Sequence, residues 1–239
     1  MFFPITNELQ PTILPPEPAD LPPDTASIRE MGALPLPEVR SNIYCMSIVG
    51  QIEGHMILPA QNKTTKYEHI MPQLIAIEES PDIEGFIMLM NTVGGDVEAG
   101  LAIAEMISTM SKPSVSLVLG GGHSIGVPLA VSTNYSFIVS SATMTIHPIR
   151  MTGLIISVPQ TYDYFNKMQD RVVNFITSHC RVERDTFLQM MMSTGELAND
   201  IGTVLVGKEA AECGIIDAVG GLRDALSKLR ELINERIDS

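Results

Sequence analysis

The chain has 239 residues, 45% of them hydrophobic, which suits a single sizeable α/β domain or such a domain with a tail. The formal net charge of −13 argues against nucleic acid and anionic membranes as main partners. Cys45, Cys180 and Cys213 are odd in number and far apart, so they predict neither a disulfide framework nor a metal site and favour a reducing, cytoplasmic compartment.

The first predicted segment is a proline-rich mobile arm, Met1–Arg40, which holds more than half of the 16 prolines. Proline removes backbone donors, so the arm is expected to be dispensable for folding of the domain predicted over residues 41–239. The first ten residues lack the basic and apolar regions of a signal peptide. No apolar run reaches the roughly 18 residues that a membrane span requires, so no integral membrane segment is expected.

Strand and helix patterns alternate from Asn42 onward. Strands are predicted for short apolar runs, at residues 42–50, 85–91, 114–119, 135–139, 142–150 and 214–219. Apolar residues at helical spacing predict helices within residues 64–80, 92–110, 158–180, 184–194, a short helix from residue 207, and a C-terminal helix that ends near residue 237. The alternation predicts an α/β fold with a mainly parallel sheet that is covered on both faces.

Two predicted strands end in glycine-rich turns that open helices, “NTVGGDV” after residue 90 and “GGGHSIG” after residue 119. Ligands of such folds gather where strand ends meet helix N-termini, because backbone N–H groups point outward there. The turns predict that Gly95 and Ile125 supply two N–H donors around a developing oxyanion, at about 3 kcal/mol per donor. The alternative is that the glycines only form tight turns.

The second turn also contains a candidate nucleophile. Residues Gly122-His123-Ser124-Ile125-Gly126 match the G-x-S-x-G pattern of a nucleophile elbow, and the strand–turn–helix context strengthens this short match. The prediction is that Ser124 is the nucleophile. The alternative is that Ser124 is an ordinary helix N-cap.

A nucleophilic serine needs a base, and the chain has five histidines. His123 adjoins Ser124, and adjacent side chains rarely face each other. His147 ends the apolar run “TMTI” of a predicted strand and precedes Pro148, which fixes an extended exit and can aim the imidazole into the same crevice. The remaining histidines are explained without catalysis, by a surface loop, an amphipathic helix and a helix C-terminus: His55, His69 and His179.

At this point the sequence resembles a known family. The segments “NTVGGDVEAGLAI”, “LGGGHSIGVPLAVS”, “ATMTIHPIR” and “GKEAAECGIID” resemble the proteolytic subunit family of Clp proteases, serine peptidases related in fold to the crotonases. With “AQNKTTKYEHI”, they resemble more narrowly the translocation-enhancing proteins of spore-forming bacteria. The resemblance covers roughly residues 43–225 and implies a crotonase-like fold, a repeated β-β-α superhelix with a mainly parallel sheet.

The resemblance also implies function. It places Ser124 as nucleophile, His147 as base, and the N–H groups of Gly95 and Ile125 as oxyanion donors. It implies hydrolysis of peptide bonds in a peptide or unfolded protein, in preprotein translocation or spore protein processing, with no cofactor and no metal. It implies a ring-like homo-oligomer and leaves open whether a regulatory ATPase is a partner.

The predicted helix at residues 158–180 bears on the oligomer. An apolar stripe on that helix is formed by Tyr162, Phe165, Met168, Val172 and Phe175. The stripe must be covered, either by another subunit or by the rest of its own domain.

The chain departs from the family pattern in three places. The family's S-P-G-G turn is “TVGG” here, its H-Q-P is shortened to His147-Pro148, and Gly202 falls on the position of the triad aspartate. Asp200 is the nearest carboxylate, and residues two apart on an extended segment share a face, so Asp200 is predicted to orient His147. Asn199 is the alternative orienting side chain, and capping of a turn is the alternative role of Asp200.

Three other functions stay open at this stage. A pseudopeptidase or scaffold of the same fold is favoured by Gly202 and opposed by the retained serine and histidine. An α/β-hydrolase esterase orders its triad serine, acid, histidine, and this chain offers only His179 as a late histidine. Acyl-CoA chemistry on a crotonase fold would stabilise a thioester enolate and would not need Ser124 and His147 together.

Overall fold

The structure is a computed structural model that describes residues 41–150, 157–195 and 201–237. These residues belong to one compact unit, Ser41–Ser239. The predicted arm, Met1–Arg40, lies outside the described residues, as does Asp200.

Eight strands form the sheet: β1 Ile43–Glu53, β2 Thr64–Lys66, β3 Gly85–Gly95, β4 Ser114–Gly122, β5 Tyr135–Ile138, β6 Thr143–Ile146, β7 Thr203–Val206 and β8 Ala218–Val219. Six of them pair side by side in the order β2-β1-β3-β4-β5-β8, every pair parallel. β6 pairs with β4 in parallel and with β7 in antiparallel orientation. The predicted α/β fold with a mainly parallel sheet is therefore confirmed.

Seven helices are described: α1 Tyr67–Glu79, α2 Val97–Ser108, α3 Gly126–Val131, α4 Val158–His179, α5 Arg184–Met191, α6 Gly207–Glu212 and α7 Leu222–Ile237. None of the helices in the described part of the chain is both long and apolar enough to cross a membrane.

The central strands β3 and β4 are mostly buried because helices cover both faces of the sheet. On one face of β3, Met88 and Met90 are fully buried in the larger core, together with side chains of α1 and α2. Ile87 points to the other face, where it joins Leu229 and Ile233 of α7 in a second apolar layer. The sheet thus lies between a layer that contains α1 and α2 and a layer formed by α7, so a site can form where the strands end.

Both glycine-rich turns prove to be strand continuations. β3 extends to Gly95 and β4 extends to Gly122. Gly94 and Gly95 keep pairing with Gln51 and Ile52 of β1 after a shift of register. Glycine lowers strand propensity but leaves the backbone free to pair, so composition alone placed the strand ends too early.

Helix α4 leaves the predicted apolar stripe unevenly covered: Phe175 is buried, Phe165, Met168 and Val172 are half-buried, and Tyr162 is exposed. In its C-terminal half, Val173, Phe175 and Ile176 are buried against the rest of the domain. In its N-terminal half, Tyr162 and other large side chains stay exposed; the relative exposures are Val158 73%, Tyr162 67% and Tyr164 53%. The rest of the domain therefore covers the C-terminal half of the helix, while the N-terminal half is available for contact with another subunit.

Candidate active site

A cavity of about 400 Å³ lies where β3 and β6 end and α3 begins. Its floor carries the predicted residues Ser124, His147, Gly95 and Ile125, together with Gly94. One wall is apolar and comes mainly from α4 and α5: Val97, Val127, Val172, Val173, Ile176, Phe187 and Met191. Polar side chains also reach the cavity: Gln51, Arg150 and Gln169.

Ser124 has an unusual backbone conformation. Its φ of +58° is the only positive φ of a non-glycine residue in the described ranges. The left-handed region costs an L-residue about 1–2 kcal/mol, so the surroundings must enforce it. The Ser124 N–H donates to the Thr145 carbonyl of β6 at 2.8 Å, and the Ser124 carbonyl accepts from the Val127 N–H at 3.0 Å. The N-cap of α3 falls on Ile125, so the structure does not support the alternative that Ser124 caps this helix.

Gly94 makes room for the serine. Its φ is +87°, and a Cβ at this position would lie 2.7 Å from Ser124 Cβ and 2.7 Å from the His123 carbonyl oxygen. The end of β3 therefore approaches the serine turn more closely than any side chain would allow.

Thr92 holds the glycine turn in place. Its side chain is 1% exposed; the hydroxyl donates to the Gly50 carbonyl at 2.7 Å and accepts from the Gly94 N–H at 3.1 Å. The sequence gave no reason to single out Thr92, which is an ordinary residue for a strand. The one available sign was that the change from S-P-G-G to “TVGG” keeps a hydroxyl, now that of threonine, at the first position.

The predicted oxyanion donors, Gly95 and Ile125, lie at the end of β3 and at the start of α3. Beyond Gly95, the Asp96 N–H donates to the Ile52 carbonyl at 3.0 Å, and Asp96 Oδ1 accepts from the Ala99 N–H at 2.9 Å as the N-cap of α2. Ile125 opens α3, where first-turn amides have no intrahelical acceptor. Gly95 and Ile125 both line the cavity together with Ser124, and their role as oxyanion donors stays a prediction.

His147 follows the last residue of β6 and is half-buried. Its Nδ1 lies 2.7 Å from the carbonyl oxygen of Pro148. Gly202, which the resemblance places at the family's aspartate, adjoins this histidine: a Cβ there would lie 2.2 Å from the Ile146 carbonyl oxygen and 2.9 Å from His147 Cβ. The predicted orienting residue, Asp200, is outside the described residues.

The other histidines lie outside the cavity lining. His123 Nδ1 is 2.9 Å from Thr145 Oγ1, and burial lowers the pKa of His123, which favours its neutral form. His179 stacks on Phe175 at a ring distance of 4.1 Å near the end of α4, and His55 contacts the Tyr67 ring. Within the described ranges, no group of three or more His, Cys, Asp or Glu side chains is arranged to hold a metal ion.

Known proteins match most of the chain. The family model described as Clp protease matches residues 40–223. Translocation-enhancing protein TepA of Halalkalibacterium halodurans is 60% identical over 210 residues, which cover 87% of this chain and 82% of that protein. A putative protease of Methanocaldococcus jannaschii is 24% identical over 76% of this chain and 66% of its own length. The ATP-dependent Clp protease proteolytic subunit of Leuconostoc citreum is 27% identical over 57% of this chain and 63% of its own length.

Proposed function

The chain belongs to the Clp protease family, and we propose from this premise that it is a serine peptidase with Ser124 as nucleophile and His147 as base. The observation that carries the proposal is the left-handed φ of Ser124, held in a G-x-S-x-G turn beside the cavity that His147 also lines. Strain of this kind is typical of a nucleophile elbow, where the turn exposes the hydroxyl.

The proposed reaction is acyl transfer in two steps. Ser124 Oγ attacks the peptide carbonyl carbon while His147 Nε2 accepts the hydroxyl proton and passes it to the leaving amine. A water molecule, activated by the same imidazole, then releases the acyl group and restores Ser124. The N–H groups of Gly95 and Ile125 would stabilise the oxyanion of both tetrahedral intermediates, each with an effect of about 3 kcal/mol.

The cavity supports an unfolded peptide as the substrate. A volume of about 400 Å³ is small even for a ligand pocket, so it admits a side chain and a short stretch of backbone but no folded element. The apolar wall from α4 and α5 would bury an apolar side chain next to the scissile bond. Peptides with leucine or phenylalanine before that bond are therefore the favoured substrates.

The proposed setting is protein translocation in the cytoplasm. The 60% identical relative is named a translocation-enhancing protein, and we extend that role to this chain; processing of spore proteins is the alternative setting. Free cysteines at Cys45, Cys180 and Cys213 are compatible with a reducing compartment.

A non-catalytic scaffold of the same fold is the second candidate. It is favoured by Gly202, because the position that carries the triad aspartate in the family has no side chain here and no space for one. It is disfavoured by the strain at Ser124, since a binding protein has no need of a left-handed serine.

Covalent labelling separates the two candidates. We expect a fluorophosphonate to modify the full-length protein at Ser124 alone, as mapped by mass spectrometry, and leucine peptides to be cleaved about tenfold or more faster than aspartate peptides. Ser141→Ala, which changes an exposed turn serine, is the control that should label normally. Failure of the folded protein to label, under conditions that label another serine peptidase, would favour the scaffold.

We also propose that the protein forms a homo-oligomer. The Clp protease family forms oligomeric rings, and the exposed aromatic side chains Tyr162 and Tyr164 on α4 offer an apolar contact surface. Sedimentation velocity should detect a multimer, and Tyr162→Lys with Tyr164→Lys should shift it toward monomer. Lys167→Glu, on the same helix, is the charge-change control. Monomer alone over a wide concentration range would contradict the proposal.

A further inference from the structure

We infer that the backbone carbonyl of Pro148, and not a carboxylate, orients His147 for catalysis; this inference rests on the proposed function. The carbonyl oxygen lies 2.7 Å from His147 Nδ1. A carbonyl can only accept a hydrogen bond, so Nδ1 carries the proton and Nε2 carries the lone pair. That tautomer is the one in which Nε2 can take a proton from a serine.

The position that carries the aspartate in the family is closed in this chain. Gly202 has a φ of +139°, and a Cβ on it would lie 2.2 Å from the Ile146 carbonyl oxygen. Its backbone is fixed on both sides, by the Gly202 N–H bond to the Ser193 carbonyl at 2.8 Å and by the pairing of Ile146 with Thr203. An aspartate at residue 202 would therefore require β6 and β7 to separate.

The His147-Pro148 pair supplies the orientation locally. A residue before proline is restricted to extended conformations, and the proline ring fixes its own φ. The imidazole and the Pro148 carbonyl are therefore brought together by two adjacent residues whose backbone has little freedom. Pro148 is thus a positioning residue.

Two departures from the family pattern are explained together, because one supplies the hydrogen-bond acceptor that the other removes. The histidine motif is shortened so that proline directly follows His147, and the aspartate position is occupied by Gly202. The substitute is weaker, because a neutral carbonyl stabilises an imidazolium less than a carboxylate does. In a serine protease, loss of the aspartate lowers the catalytic rate by about four orders of magnitude when the histidine adopts the wrong tautomer. The Pro148 carbonyl keeps the correct tautomer and so prevents this loss of rate.

The tautomer can be measured without reference to activity. Full-length protein labelled with ¹⁵N-histidine, at a pH at which His147 is neutral, should show His147 with a protonated Nδ1 and an unprotonated Nε2. The His147→Gln variant assigns the signals. Asp200→Asn should keep the same tautomer of His147 and a fluorophosphonate labelling rate within twofold of the parent. Pro148→Ala should give mixed tautomers of His147 and roughly tenfold slower labelling.

The outcomes separate this inference from the proposed function. A protonated Nε2 in the parent protein overturns the role of Pro148. Slower labelling of Asp200→Asn, or a tautomer that changes in that variant, assigns the orientation of His147 to the Asp200 carboxylate instead. A protonated Nδ1 in a protein that fluorophosphonate fails to label leaves the orientation standing and removes the peptidase proposal. The parent and Asp200→Asn decide the question even if Pro148→Ala does not fold, which circular dichroism would reveal.

Discussion

Replacing Ser124 with glycine is expected to abolish peptide hydrolysis and to make the folded protein more stable. Removal of the nucleophile should lower the rate by about a thousandfold or more. Glycine occupies the left-handed region without the penalty of about 1–2 kcal/mol that the φ of +58° imposes on serine. Part of this gain is offset by the greater freedom of glycine in the unfolded chain, so the free energy of unfolding should rise by about 1 kcal/mol.

Urea denaturation and peptide hydrolysis, measured on the same samples, check this prediction. Ser124→Ala is the matched variant: it removes the same hydroxyl but keeps the Cβ that causes the strain, so it should be equally inactive and no more stable than the parent. Equal stabilisation by alanine and glycine would mean that φ is not the source of the gain. Retained hydrolysis in either variant would show that Ser124 is not the nucleophile.

Replacing Gly94 with alanine should damage both the fold and the site. The new Cβ would meet Ser124 Cβ and the His123 carbonyl oxygen, each at 2.7 Å, at a φ of +87°. Backbone strain of about 1–2 kcal/mol and overpacking of about 1–3 kcal/mol act together, so the free energy of unfolding should fall by about 2–5 kcal/mol. Because the clash falls on the serine turn, labelling of Ser124 should be strongly slowed at temperatures where the protein is still folded.

Alanine variants of two other glycines distinguish the cost of backbone strain from the cost of a steric clash. Gly195 has a φ of +106°, and among the described residues no atom lies within 4 Å of a Cβ placed there, so Gly195→Ala should lose only the strain of about 1–2 kcal/mol. At Gly221 the nearest atom is 4.0 Å away, and Gly221→Ala should stay within about 0.5 kcal/mol of the parent. If Gly94→Ala is no less stable than Gly195→Ala, the proposed contact between Gly94 and the serine turn is wrong.

Much of the architecture was predictable because its signals are local. The continuous apolar run in β3 and the helical spacing in α2 each specify an element within about a dozen residues. The same holds for the candidate chemistry: G-x-S-x-G and the histidine before a proline are short patterns, and the structure brings Ser124 and His147 to one cavity.

The parts that sequence reasoning missed depend on distant contacts. Thr92 matters because its hydroxyl meets Gly50, which lies 42 residues earlier on a neighbouring strand. Strand β7 has only four residues, so its alternation of buried Thr203 and Leu205 with exposed neighbours is too short to stand out. Gly202 could be recognised as an unexpected glycine, but the collision that excludes a side chain there involves the Ile146 carbonyl of another strand.

Helix α4 belongs to two surfaces at once. It has 22 residues and spans about 33 Å, with cavity wall at Val172, Val173 and Ile176 and exposed aromatic rings near its other end. A neighbour that binds those rings and shifts the helix axis also reshapes the wall that receives substrate. Thermodynamic reciprocity then requires that peptide in the cavity change the affinity for that neighbour by the same factor by which the neighbour changes the affinity for peptide.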